Sequence, residues 1–261
     1  MSRAGQSGFF SWRAGLCALV LLLAGGIVAA VAQNQAPAPK SSEPKPAEPD
    51  VAVALVLAVD TSGSVSMGRF ELQKQGYAAA FRNPQVLNAI RSLATQSITV
   101  TMMQWTGAFL HIVVVDWAPI KGEASAGAFA SAIEAAPRRL FGGGTSISGA
   151  IDFSRLLLAR SPYRALRRII DVSGDGSNNN GRDVTQARDE AVRDGIGING
   201  LPILTVEPGL DRYYRDYVIG GPGAFMIPVK DYDNFADAVL KKLINEIAAT
   251  KPLTFSRITK R

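Results

Sequence analysis

The chain of 261 residues (27.7 kDa) is 47% apolar and 19% charged, a composition that supports a sizeable buried core and excludes global disorder. It holds one cysteine, Cys17, and one histidine, His111, which excludes a disulfide scaffold, a cysteine-ligated zinc site, an iron-sulfur cluster and a histidine-rich metal cage. The net charge of +6 is spread over short pairs such as Arg138-Arg139, Arg167-Arg168 and Lys241-Lys242 with no interleaved aromatics, the pattern of solvated faces rather than of a nucleic-acid surface.

Residues 1–32 read as an export leader. Arg3 and Arg13 precede an uncharged, largely apolar run from Ala14 to Ala32, and Ala30 and Ala32 frame an A-x-A cleavage site before Gln33. The run is also near the length that spans a bilayer, so an uncleaved inner-membrane anchor is the competing reading. In either case the rest of the chain is expected outside the cytoplasm, periplasmic or secreted. Residues 33–50, with Pro37, Pro39, Pro44, Pro46 and Pro49, form a Pro/Ala-rich spacer that buries no core. A folded domain is expected over 51–249, followed by a basic tail at 250–261.

Val51 to Val59 is a continuous apolar run ending at Asp60, the pattern of a strand buried on both faces. A helix carrying Phe70, Tyr77 and Phe81 follows and ends at Arg82-Asn83-Pro84. Two strands, 98–105 and 109–117, form a hairpin across Thr106-Gly107-Ala108. Helices are predicted over 124–135 and 146–159, the second opened by Gly142-Gly143-Gly144-Thr145 and closed by Ser161-Pro162. A strand at 168–173, a helix at 183–194 and strands at 198–206 and 225–229 lead to a closing helix at 233–248, with Phe235, Val239, Leu243 and Ile247 at four-residue spacing. Strands alternating with helices, apart from one hairpin edge, imply an α/β fold: an open, mostly parallel sheet with helices on both faces.

Ligands of such sheets bind beyond the carboxyl ends of the strands. Three polar clusters fall there: Asp60-Thr61-Ser62-Gly63-Ser64, Gly144-Thr145-Ser146 and Ser173-Gly174-Asp175-Gly176. Each has a local explanation as a helix cap or turn. Together they offer two carboxylates and several hydroxyls, hard oxygen donors that select Mg2+ or Mn2+, with water and a partner's oxygen completing the shell.

This ordered set, a buried strand delivering D-x-S-x-S, then a Gly-Gly-Gly-Thr loop, then a strand followed by an acid, resembles the von Willebrand factor type A (VWA) family. The matching residues of its metal ion-dependent adhesion site (MIDAS) are Asp60, Ser62, Ser64, Thr145 and Asp175. The likeness runs over about 51–248, and the texture from Tyr213 to Phe225 is similar to an exported bacterial subfamily of uncharacterised function. It implies a Rossmann-like, doubly wound domain holding a divalent ion whose free position accepts a carboxylate from a protein partner, a binding module rather than an enzyme. The sequence departs at Gly174, where the family often carries threonine.

The enzyme alternative is a Mg2+-dependent, phosphatase-like hydrolase with Asp60 as nucleophile. Such enzymes usually carry an acid two residues on, where this chain has Ser62, a hydroxyl that cannot supply a proton at neutral pH as a carboxylic acid can. A serine hydrolase lacks the G-x-S-x-G elbow, and His111, the one imidazole, falls inside an apolar strand. A phosphate-binding role for Gly142-Gly143-Gly144 lacks the P-loop lysine.

Overall fold

The computed structural model describes residues 50–248; the leader, most of the spacer and the tail lie outside the described residues. Five strands form one sheet in the order β3-β2-β1-β4-β5. They are β1 (Val51–Asp60), β2 (Ile98–Trp105), β3 (His111–Ile120), β4 (Ala165–Gly174) and β5 (Ile196–Pro202). All neighbours run parallel except β3, which lies antiparallel on β2 at one edge. The chain winds outward from β1 to β2 on one side and to β4 on the other, so the crevice between the ends of β1 and β4 is the switch point of the fold.

Every residue of β1 is buried because both faces of the strand are covered. Val53, Leu55, Leu57 and Val59 pack into a core with α1 (Met67–Arg82), α2 (Pro84–Arg91), α3 (Glu123–Ala135) and α7 (Phe235–Ala248). Ala54, Val56 and Ala58 point the other way, toward α4 (Ile147–Ala159), α5 (Val184–Arg193) and α6 (Leu210–Tyr213). The period-2 alternation of a strand thus splits one apolar run between two cores. Among the described residues no helix is long and apolar enough to cross a membrane.

Four differences from the sequence-based expectations have physical causes. Pro84 ends α1 but also opens α2 as its first-turn residue, where its missing N–H costs nothing; Asn83 caps that helix by accepting from Gln85 N at 2.9 Å. The hairpin turn extends to Leu110, closed by Thr106 N to Leu110 O and Leu110 N to Gly107 O, both 3.0 Å, so β3 begins at His111 and Phe109 lies outside it, 93% exposed. The strand expected at 225–229 is reduced to bridges along β5 at Met226 and Val229, since Pro228 has no N–H to continue a ladder. The closing helix begins with a 3-10 turn, Tyr232–Asn234, whose Asp231 caps it at Asn234 N.

On the first core's side of the sheet, Lys242 of α7 is fully buried between Asp171 of β4, 2.5 Å from Oδ1, and Glu246, to which it also donates. Asn199 Nδ2 of β5 donates to Glu246 at 3.0 Å, and Asn199 Oδ1 accepts from Phe225 N at 3.1 Å. Burial raises both carboxyls while the Lys242 charge pulls them down. The network fastens α7 and the 225–229 segment to the sheet.

Candidate metal site

Asp60 ends β1 and Asp175 follows β4, so parallel neighbours in register deliver both carboxylates to one edge. Both are fully buried. Asp60 Oδ1 accepts from Ser62 N at 2.7 Å, and Oδ2 receives only a long contact from Asp175 N at 3.4 Å. Ser62 Oγ and Ser64 Oγ stand 3.1 Å apart, and Ser64 Oγ donates to Asp175 Oδ1 at 2.5 Å. The first and third clusters therefore meet side chain to side chain.

Thr145 is placed by its backbone: its N donates to Asn179 Oδ1 at 2.8 Å and its O accepts from Asn179 N at 2.9 Å. Thr106, just past β2, fastens the glycine loop by donating to the carbonyls of Gly142 and Gly144. The Asn178-Asn179-Asn180 run, an expected turn, is a clamp: the side-chain oxygens of Asn178, Asn179 and Asn180 accept from Ser148 N, Thr145 N and Ala108 N respectively. A Cβ on Gly176 would lie 3.5 Å from Thr145 Oγ1, which brings the second cluster against the third.

Several residues of the site were not foreseen from sequence. Arg138 donates to the carbonyls of Thr61 (2.8 Å), Ser62 (3.2 Å) and Val65 (2.7 Å) and so holds the first loop closed. Tyr232 Oη donates to Asp175 Oδ2 at 3.0 Å. Arg69 donates to Ser64 O at 2.8 Å, stacks on the Tyr232 ring and lies 3.7 Å from Asp175 Oδ2. Arg138 was read only as part of a solvated basic pair, and nothing in local sequence distinguishes an arginine that binds carbonyls 73 to 77 residues away.

Burial, with a smaller push from the neighbouring Asp175 charge, raises the Asp60 carboxyl to about 7 against the lowering effect of the Ser62 N–H. Among the described residues no three His, Cys, Asp or Glu side chains gather, so an ion at this edge would rely on hydroxyls beside the carboxylates. The donor set fits a hard cation: converging carboxylate and hydroxyl oxygens, with Asp60 lacking a positive neighbour among its hydrogen-bond partners.

Without an ion, the burial of Asp60 has a pH signature. In the unfolded chain Asp60 ionises near its usual value, whereas the folded protein retains the proton to about pH 7. The contribution to stability is therefore complete below about pH 4 and is lost as pH rises through 7, on the order of a few kcal/mol. In chelator, Asp60→Asn is expected to flatten that decline in urea titrations across about pH 4 to 8. An equal slope in wild type and variant would contradict this account of Asp60.

Residues 50–251 match the family DUF1194, described as a protein of unknown function. No curated protein matches the chain by sequence. Among solved structures, it is similar to the pilus adhesin SpaC from Lactobacillus rhamnosus GG (TM-score 0.55, 15% identity, 76% of this chain and 31% of that one). It is also similar to proximal thread matrix protein 1 from the mussel byssus (0.57, 15%, 77% and 48%) and to a von Willebrand factor type A protein from Catenulispora acidiphila (0.50, 14%, 76% and 42%). The chain thus spans less than half of each of these proteins. One structure of the mussel protein has a zinc-occupied MIDAS motif (TM-score 0.51, 12% identity).

Proposed function

The chain belongs to the DUF1194 family and has a VWA-like fold, and from that premise we propose that it is an exported, non-enzymatic module that captures a protein partner through a divalent cation, Mg2+ or Mn2+. Asp60, Ser62, Ser64, Thr145 and Asp175 would hold the ion, directly or through water. The observation that carries this reading is the convergence of two fully buried carboxylates and the Ser62 and Ser64 hydroxyls at the switch point of the sheet. Bound there, the ion supplies an electrophilic position for an acidic side chain, because the hydroxyl donors leave much of its charge uncompensated.

The surroundings support a protein partner. Phe109 and Phe141 are 93% and 67% exposed, on the two loops that meet beside the first cluster; apolar surface of this kind serves recognition. Adhesion is the role named for the SpaC pilus protein, and it is consistent with capture outside the cytoplasm. The phosphatase-like alternative has no support from the geometry: Ser62, at the position of the required acid, is engaged with Ser64.

A pull-down from envelope extract tests the proposal. Captured partners should be released by chelator and lost with Ser62→Ala or Thr145→Ala. Capture that ignores chelator would assign the partner to another surface. Mg2+-dependent phosphoester hydrolysis lost in Asp60→Asn would favour the enzyme alternative.

A further inference from the structure

Tyr214 has no role in the ligand set, yet its hydroxyl borders the same space as Asp60 Oδ2. It opens a π turn, Tyr214–Val218, directly after α6, and its side chain is fully buried. Its Oη has no hydrogen-bond partner among the described residues, a costly state for a buried hydroxyl. Two glycines clear its path across the sheet. A Cβ on Gly200 of β5 would stand 2.6 Å from Tyr214 Cδ1, so the ring lies on bare backbone there. A Cβ on Gly174 of β4 would stand 3.0 Å from Tyr214 Oη and equally 3.0 Å from Asp60 Oδ2, with Trp105 Cη2 at 3.3 Å. The tyrosine hydroxyl and the less satisfied oxygen of Asp60 thus border the same small space, which exists because residue 174 has no side chain.

Resting on the ion-binding reading above, we propose that Tyr214 is a positioning residue for the metal site: its hydroxyl donates to Asp60 Oδ2 through one bridging water and orients that carboxylate for the cation. A donor on the outer oxygen fixes the carboxylate's rotation and steadies its negative charge, the usual contribution of groups behind a metal ligand. Gly174 suits this arrangement, since a Cβ there would crowd both oxygens at 3.0 Å.

The test is Mn2+ titration calorimetry on wild type, Tyr214→Phe and Tyr77→Phe. Tyr214→Phe retains the ring on Gly200 and removes only the oxygen, so its ion-free circular dichroism and melting should match or slightly exceed wild type. Tyr77 is the control, a buried tyrosine whose hydroxyl contacts Ser173 Oγ at 3.4 Å rather than the ligand cluster. Tyr214→Phe is expected to weaken Mn2+ binding about tenfold or more while Tyr77→Phe leaves it within about twofold. Wild-type binding with Tyr214→Phe unchanged, or with both variants weakened alike, would overturn the role of Tyr214 and leave the ion site standing. No Mn2+ binding by the wild type would overturn the ion-site reading and this inference together.

Discussion

Lys242→Met is expected to destabilise the fold by about 3–5 kcal/mol, the usual cost of removing one partner from a buried ion pair. Methionine approximates the length and apolar volume of the lysine stem, so the loss measures charge rather than packing. The ammonium sits between Asp171 and Glu246, each fully buried, and the remaining donor to Glu246 is the neutral amide of Asn199. With Lys242 gone, two carboxylates would share a dry space without a countercharge and would take up protons to remain folded. Their folded pKa values would then stand further above the unfolded ones. Stability is fully present below the unfolded values and lost as pH rises through the folded ones, so the deficit should shrink toward about pH 5 and grow toward about pH 8. Urea unfolding of the variant across that range measures both effects. A deficit below about 1 kcal/mol, level with pH, would mean that solvent reaches the network.

Mg2+ at about one hundred times its Kd is expected to stabilise the wild type by about 2.7 kcal/mol, because a ligand that binds only the folded state shifts the equilibrium by mass action. For a domain of this size that raises the melting temperature by about 5–10 °C. Asp60→Ala should remove the shift entirely. Its ion-free melting temperature should not fall, since the substitution also removes a buried carboxylate that burial and the Asp175 charge disfavour. Thermal scans with Mg2+ and with chelator separate the two effects. A variant that retains the wild-type shift would place the cation elsewhere.

Much of this architecture was legible because it rests on local patterns. The apolar run of β1 could be buried only in a two-sided sheet, and the D-x-S-x-S after it marked the edge of the sheet where the candidate site lies. The antiparallel edge strand was legible from Thr106-Gly107-Ala108, although the exposed Phe109 and Leu110 read as strand because hydrophobicity does not report which residues a turn leaves in solvent. α2 was missed because proline ends one helix and begins another with the same letter. The supporting residues of the site were illegible for a different reason. Arg69, Arg138 and Tyr232 act through contacts made by tertiary folding, as when Tyr232 reaches Asp175 across 57 residues. Their neighbours in sequence carry no trace of those partners. Gly174 was visible as a departure from the related pattern, but only the folded neighbours, Asp60 Oδ2, Tyr214 Oη and Trp105 Cη2, supply a reason for it.

Electron paramagnetic resonance of Mn2+ mixed with the purified protein is the most direct test of the central claim, because the free ion's signal is lost as it binds. The account predicts one Mn2+ per chain, displaced by Mg2+, with binding abolished in Asp60→Ala. Free-ion signal undiminished by wild-type protein, or equal binding in Asp60→Ala, would contradict it.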